Sequence, residues 1–281
     1  MADTLTGVTE TVATAVDVIS TLAQSYLQEA SKFSSLLDDY SSQVQPGSKS
    51  VEIPRAGGFT VGTKAENTAA DATSVTWATD AIDLDQHKYV QWLIEDIASA
   101  QSVLSINEQN VMRAAKDMAA AKDLFLVNLL ETASASTPDH RIAYAATTTI
   151  AEADILDARE LLIVQNIDPS ELVLAVSPAQ ESVMLQLSNF IDASKYGSAG
   201  ATSNGEIGRV FGARVIVSNN VEDLKSILFH KSAVGHASQF GPRFQTQPDL
   251  ANLGTRYSMD HLYGGKLMDT GKRCVMIGTA A

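Results

Sequence analysis

The segment that most constrains the fold is residues 47–64, which read GSKSVEIPRAGGFTVGTK. Two short runs of strand-forming residues, Val51–Ile53 and Phe59–Thr63, flank the pair Gly57-Gly58, and this pattern predicts a β-hairpin. The hairpin has too few large apolar residues to bury a core of its own. It must therefore pack against another part of the molecule or against a second chain.

A heptad-like pattern precedes the hairpin. Within residues 8–40, apolar residues recur at alternating spacings of three and four, which predicts an amphipathic helix. These residues are Val12, Val16, Ile19, Ala23, Tyr26, Ala30, Phe33 and Leu37. The two alanines and the scarcity of flanking charges favour a helix that lies on the core or on a neighbour over a coiled coil.

A long helix follows the β region of residues 47–95. Ser105 and Glu108 have the spacing of a capping box, and apolar periodicity continues to about Thr132. Val111, Ala115, Met118, Ala121, Phe125 and Leu129 form the apolar face, with Arg113, Lys116, Asp117 and Asp123 opposite. A helix of roughly 40 Å is a structural girder rather than a typical catalytic element.

The remaining chain predicts a mixture of helices and strands, and hence an α+β fold. We expect helices at 151–164 and 178–190, strands at 172–176, 209–217 and 226–229, a flexible loop at 198–205, a helical turn at 230–238, and strands in the tail.

Composition is that of a folded protein with an acidic surface. The 281 residues are 45% hydrophobic and 19% charged, with a net charge of −13. Such a chain is repelled by nucleic acid and anionic lipid unless a local patch reverses the sign, and no Lys/Arg-rich run is present. No run approaches the ~18 apolar residues of a membrane span. The single cysteine, Cys274, lies in an apolar run and is expected to be buried and inert.

The motifs of common enzymes are absent. There is no phosphate-binding glycine loop, HExxH or GxSxG sequence. His230 and His236 are spaced wrongly for one helical face, which argues against a metal pair. Asp83 and Asp85 would share a strand face and could serve a hydrolase, but a solvated strand face is the favoured interpretation. We therefore expect no catalytic residues, no metal and no cofactor.

Four stretches, in this order, resemble tailed-bacteriophage major capsid proteins with the Hong Kong 97 fold. They are residues 33–55, which include GSKSVEIPR; residues 83–102; His230-Lys231-Ser232-Ala233-Val234; and Tyr263-Gly264-Gly265-Lys266-Leu267-Met268 with Val275–Ile277. Their order and spacing along nearly the whole chain carry the resemblance. It implies an α+β capsid fold with an N-terminal arm, an extended β-hairpin loop (E-loop), a long spine helix, and peripheral and axial domains.

The resemblance implies a division of the chain. Residues 1–46 would form the N-terminal arm with its helix, and 47–104 the E-loop that lies over a neighbouring subunit. Residues 105–150 would form the peripheral domain with the spine helix. Residues 151–225 would form the axial domain, and 226–281 the C-terminal strands that close the axial and peripheral sheets.

The resemblance also implies which residues meet other subunits. In the E-loop these are Lys49, Glu52, Arg55, Phe59, Lys64 and Glu66; in the N-terminal arm Val12, Val16, Ile19, Tyr26 and Phe33; and at the capsomer centre Ser203, Asn204 and Gly205. Some family members cross-link covalently through a loop lysine, but nothing in this sequence identifies a partner for Lys64.

The function implied is that of a major capsid protein, assembled as hexamers and pentamers into an icosahedral shell around double-stranded DNA. Implied partners are a separate scaffolding protein, a portal protein, a decoration protein, and packaged DNA held without sequence specificity; no membrane is implied. The location would be the virion capsid, and the host cytoplasm during assembly. Two alternatives are an encapsulin-like shell around enzyme cargo and a flagellin-like surface filament.

Overall fold

Two β-sheets and a separate two-stranded ribbon organise the protein. The computed structural model describes residues 5–6, 32–59, 61–64, 66–67, 69, 72, 74–97, 106–132, 140–144, 148–186 and 208–278. The elements are β1 (Leu5–Thr6), β2 (Asp38–Asp39), β3 (Ser50–Ala56), β4 (Trp77–Asp83), β5 (Gln86–Glu95), α1 (Ile106–Thr132), β6 (Arg141–Ile142), α2 (Glu152–Val164), β7 (Leu172–Val176), α3 (Pro178–Met184), β8 (Arg209–Val210), β9 (Ala213–Val217), β10 (Lys225–His230), β11 (Val234–Asp249), β12 (Gly254–Leu267) and β13 (Cys274–Gly278).

The six-stranded sheet has the order β6-β13-β10-β7-β9-β8. Its central strands are continuous apolar runs because both faces are covered. Helix α2 packs on one face, where Ile155 and Leu162 are buried. Helix α1 and the chain around Phe33 pack on the other face. The expected strand at 172–176 and helix at 151–164 are confirmed to within a residue.

The five-stranded sheet has the order β1-β5-β12-β11-β2. Its centre is the long antiparallel pair β11–β12, joined by a short turn at residues 250–253. Helix α1 lies on one face, where Met118 packs with Met259 and Phe125 meets the edge of Tyr263 at 5.6 Å between ring centroids. The residues expected to form a helical turn at 234–238 begin strand β11 instead, because His230–Ala233 already supply the turn.

Helix α1 joins the two sheets. It runs over 27 residues, as the sequence predicts. Leu126 and Leu130 are fully buried in the cluster beneath the six-stranded sheet, whereas Ala114 and Met118 are buried against the five-stranded sheet. One helix therefore packs on both sheets and connects them, which is the structural role expected from its length.

The extended hairpin, defined here as residues 50–83, is longer than the sequence suggested. Strand β3 pairs antiparallel with β4, from Ser50 opposite Asp83 to Ala56 opposite Trp77. The predicted turn at Gly57-Gly58 and strand at Phe59–Thr63 are wrong. Gly57 N–H donates to Thr76 O at 2.8 Å and closes the ladder, and the described residues between these two points form no strand.

Three other expectations differ from the structure. The helix predicted over residues 8–40 does not extend past Lys32, where a 3₁₀ turn at Phe33–Ser35 and strand β2 follow; residues 8–31 lie outside the described residues. Helix α3 ends at Met184, with a turn at residues 185–186, rather than at residue 190. Strands 209–217 are two strands because a turn at Phe211-Gly212 folds β8 onto β9.

A close crossing fixes the base of the extended hairpin on the five-stranded sheet. A Cβ built on Gly264 would lie 1.9 Å from the backbone oxygen of Asp83, and one on Gly235 would lie 2.1 Å from Met268 Cε. At Gly264 only glycine permits the approach, because the close atoms belong to the backbone, whereas at Gly235 the close atom ends a flexible side chain. The hairpin base therefore sits directly on β11 and β12.

Candidate assembly interface

The base of the extended hairpin has a small core within its own subunit. Val51 of β3 and Ile82 of β4 point the same way, since they are paired across the ribbon. They are buried with Leu84, Ala237 and Met268. The base of the hairpin is therefore anchored by its own chain.

A polar clamp adds to this core at the turn after β12. Asp269 and Thr270 have φ angles of 51° and 53°, a left-handed conformation that is uncommon outside glycine. The Asp269 carboxylate forms an ion pair with Arg55 of β3, and its backbone N–H donates to Asp80 Oδ2 of β4 at 3.3 Å. One strained turn thus holds both strands of the hairpin.

The outer half of the hairpin has no such support. Phe59 is 75% exposed, Val61 95% and Trp77 68%. Exposed single apolar residues are common, but three large ones on one extended segment are typical of a contact surface. Among the described residues, none of these three side chains belongs to a hydrophobic core cluster.

The other E-loop residues named from the sequence are placed as follows. Lys49, Glu52, Lys64 and Glu66 are exposed. Arg55 is only partly exposed and is engaged with Asp269, so its charge already has a partner inside the subunit. An intersubunit role for Arg55 stays a prediction, and reversing its charge would also disturb the clamp.

The N-terminal candidates are only partly visible. Val12, Val16, Ile19 and Tyr26, and the capsomer-centre residues Ser203, Asn204 and Gly205, lie outside the described residues. Phe33 is fully buried in its own subunit and stacks on Phe229 at 6.2 Å between ring centroids. This placement corrects the expectation that Phe33 faces a neighbour, and we do not propose it as a contact.

A buried carboxylate fixes the point where the N-terminal region meets the body. Asp123 of α1 is 2% exposed and accepts backbone N–H groups from Lys32 at 2.6 Å and from Phe33 and Ser34 at 3.3 Å. It caps the 3₁₀ turn as a carboxylate caps a helix N-terminus. Periodicity had placed Asp123 on the polar face of α1, and a lone acid on a helix gives no signal of a distant cap.

Buried histidines and a lysine surround this junction. His236 Nε2 lies 3.0 Å from Ser34 O, and Lys122 Nζ lies 3.3 Å from Ser238 Oγ. Burial lowers the pKa of His236, and the charge of Lys122 lowers it further. Burial also lowers the pKa of Lys122 itself.

His261 lies in the same layer between α1 and the five-stranded sheet. Its ring centroid is 4.9 Å from that of Tyr263, and its Nε2 has no hydrogen-bond partner among the described residues. Burial, together with Lys122, lowers the pKa of His261 to about 4. This histidine is therefore neutral at pH 7.

The residues weighed for catalysis or metal binding do not form a site. Asp83 and Asp85 are both exposed, and Asp85 Oδ1 accepts a hydrogen bond from Gln86 Nε2 at 3.0 Å. His230 caps the turn at Ser232, whereas His236 is buried beside Ser34. Within the described ranges, no group of three or more His, Cys, Asp or Glu residues could hold a metal ion. Cys274 is buried, and burial raises the pKa of its thiol.

The same described ranges contain no candidate membrane span. None of their helices has both the length and the apolar composition needed to cross a bilayer. Helix α1 is long enough, but it carries Arg113, Lys116 and Asp117.

Comparison with known proteins agrees with this architecture. A sequence profile described as phage capsid protein matches residues 105–275, which is more than half of the chain. The chain therefore belongs to the phage capsid protein family. No curated protein matches it.

Solved structures share the fold. One from Mycobacterium phage Che8 superposes with a TM-score of 0.74 at 23% identity, over 89% of this chain and 93% of that one. The capsid structure of cyanophage P-SCSP1u gives a TM-score of 0.78 at 16% identity, over 90% and 89%. The mature capsid of bacteriophage PhiM1 gives 0.73 at 16% identity, over 90% and 88%.

The predicted fold and class are confirmed by these matches. The chain is a tailed-phage major capsid protein with the α+β Hong Kong 97 fold, a structural protein of an icosahedral capsid. As a member of this family it is a capsid shell protein of the virion. A structural family agrees with the expectation that the chain is not an enzyme.

Proposed function

We propose that the subunits assemble as hexamers and pentamers into a closed shell around double-stranded DNA, and that the extended hairpin joins each subunit to its neighbour. The observation that carries this proposal is the contrast between the two halves of the hairpin. The base is buried and clamped by its own chain, whereas Phe59, Val61 and Trp77 are exposed.

Burial of apolar side chains between subunits favours assembly. Covering a large apolar side chain stabilises a contact by about 1.5–3 kcal/mol. Two or three such side chains per contact contribute roughly 3–9 kcal/mol, which offsets a large part of the roughly 4–15 kcal/mol that association costs, and further contacts between subunits supply the rest. A second exposed apolar site, with Leu250 86% and Leu253 72% exposed at the turn between β11 and β12, supports further contacts between subunits.

The partners follow from the same proposal. A shell of this kind is built in the host cytoplasm on a separate scaffolding protein, and receives a portal protein and, on its surface, a decoration protein. The net charge of −13 suits a container, because an acidic wall does not immobilise the DNA that it holds. The N-terminal residues Val12, Val16, Ile19 and Tyr26 and the loop at Ser203, Asn204 and Gly205 are proposed as additional contacts.

The test replaces the exposed residues of the hairpin. In the variant Phe59→Ser/Val61→Ser, the loss of two apolar contacts should lower the yield of shells at least about tenfold. The subunit fold should be unaffected, because neither side chain lies in a core cluster. Shell yield is measured by sedimentation and electron microscopy after co-expression with the scaffolding protein, and subunit stability by thermal unfolding.

The matched control is Tyr89→Ser, which removes an exposed aromatic residue of β5 outside the hairpin. Shells that form from the double variant at the control's yield would contradict the proposed role of the hairpin. Particles that contain an enzyme instead of DNA would favour the encapsulin-like alternative.

A further inference from the structure

A pair of adjacent arginines stands out on this acidic chain. Arg209 of β8 and Arg214 of β9 are direct partners across the β8–β9 ladder, and both are exposed. Like charges directly opposite each other on a sheet destabilise it. Neither arginine forms an ion pair or a side-chain hydrogen bond with any residue that the structure describes. The repulsion between them is therefore not offset within the described subunit.

The local fold holds the two arginines in this position. Phe211 and Gly212 have φ angles of 47° and 88°, which is the two-residue turn that sets a tight hairpin. Val210 and Ala213, the other cross-strand pair, are buried on the opposite face beside α2. A slip in register would bury the two guanidinium groups, so the hairpin presents them together on the face that α1 covers elsewhere.

Arg214 borders a cavity whose wall also carries a third cation, Lys32, while Arg209 lies beside Arg214 on the neighbouring strand. A cavity of about 300 Å³ is lined by Lys32, Ser35, Leu36, Arg214, Ile216 and Val217. Lys32 Nζ donates to Val217 O at 2.7 Å, which holds its ammonium group at the cavity wall. The nearby carboxylate of Asp123 is buried and occupied by backbone N–H groups. The cavity thus combines positive charge with a partly apolar floor.

We infer that Arg209, Arg214 and Lys32 bind the phosphate groups of nucleic acid at the wall of the shell. Guanidinium groups bind phosphate through two parallel hydrogen bonds, and their charge is compensated in the same step. The apolar part of the cavity could pack against the sugar next to a bound phosphate. An acidic polypeptide has no sugar to place there, so this feature favours nucleic acid as the ligand. The inference rests on the proposed function, because DNA is the polyanion that the proposed shell encloses.

The site would be weak and without sequence specificity. Only backbone phosphates are engaged, and the rest of the chain repels DNA. Each subunit would offer a few contacts, so that DNA is steadied at the wall without being immobilised.

The test measures binding of a 30-base-pair DNA duplex to the full, unassembled chain by fluorescence anisotropy across a salt series. Neutralising both arginines in Arg209→Gln/Arg214→Gln should weaken binding about tenfold at low salt. The slope of log affinity against log salt should fall by about 1 to 2, in line with the phosphates no longer contacted. The variant Arg209→Lys/Arg214→Lys keeps the charge and should retain most of the slope.

The matched control is Lys88→Gln/Arg113→Gln, which removes two exposed cations far along the chain and changes the net charge equally. Equal affinity and slope for the double arginine variant and this control would overturn the inference. So would stronger competition by polyglutamate of equal charge than by duplex, which would assign the site to an acidic polypeptide. Absence of shells from the wild-type chain would contradict the proposed function separately, since DNA binding is read on unassembled protein.

Discussion

At the residue scale, buried polar groups between α1 and the five-stranded sheet have structural roles that hydrophobic periodicity does not predict. Asp123 satisfies three backbone N–H groups that would otherwise be buried without partners. His261 lies beside the ring of Tyr263 and His236 lies beside Ser34 O, and burial lowers the pKa of both histidines. Burial and the charge of Lys122 oppose protonation at both histidines, and the nearby carboxylates of Asp39, Asp123 and Asp260 offset this only in part.

His261 gives a specific pH dependence. Its folded pKa of about 4 lies below the ordinary value of 6.5, so the unfolded chain binds the proton more tightly. The stability contributed by the neutral ring is complete above pH 6.5 and is lost as pH falls toward 4. Between pH 7 and 4.5 we expect the free energy of unfolding to fall by about 2 kcal/mol from this residue.

Urea unfolding of unassembled wild-type chain and of His261→Gln at pH 7 and pH 4.5 measures this contribution. The variant should lose less stability over the interval, whereas His230→Gln, outside the cluster, should behave as wild type. The groups that face His261 are Lys122, which disfavours its protonation, and Asp260, which favours it. Equal losses in wild type and His261→Gln would show that the ring does not govern the acid response.

At the element scale, the extended hairpin combines an anchored base with a free outer half. The turn at Asp269-Thr270 keeps a left-handed backbone while it binds Arg55 of one strand and Asp80 of the other. Such a conformation is retained when surrounding contacts over-determine it. The clamp therefore sets the angle at which the hairpin leaves the subunit.

Asp269→Asn tests the clamp, since asparagine tolerates a left-handed backbone but removes the ion pair. A partly exposed pair contributes on the order of 1 kcal/mol, so amide hydrogen exchange in β3 and β4 should become about threefold to tenfold faster. Exchange in β7 and β10 should not change. The control Asp249→Asn alters a carboxylate at the far turn of β11–β12, where Arg256 binds it at 2.7 Å. Unchanged exchange in β3 and β4 of Asp269→Asn would refute the clamp.

Sequence reasoning succeeded for elements whose signals are local. Helix α1 has continuous periodicity and strand β7 is a short apolar run, and both were predicted to within a few residues. It failed where the partner is distant. Gly57-Gly58 reads as a turn, but β3 pairs with β4 beyond residue 76. Phe33 fits a helical seam yet packs on Phe229, and the capping role of Asp123 depends on a contact 91 residues away.

At the scale of the whole molecule, the chain is a body of two sheets around α1 with a hairpin that is fixed at its base and free beyond it. The body explains how a subunit folds alone, through cores that do not involve the hairpin tip. The free half explains why such a subunit assembles, because Phe59, Val61 and Trp77 gain burial only on another surface. The tendency to assemble therefore follows from the contrast between the buried base of the hairpin and its exposed outer half.

The most direct measurement is a reconstruction of the assembled particle by electron microscopy at a resolution that shows side chains. We predict a closed icosahedral shell in which Phe59 and Val61 are buried against the adjacent subunit, while Arg55 keeps its pair with Asp269. A shell in which the hairpin tip folds back onto its own subunit, or projects into solvent with both side chains exposed, would contradict the account.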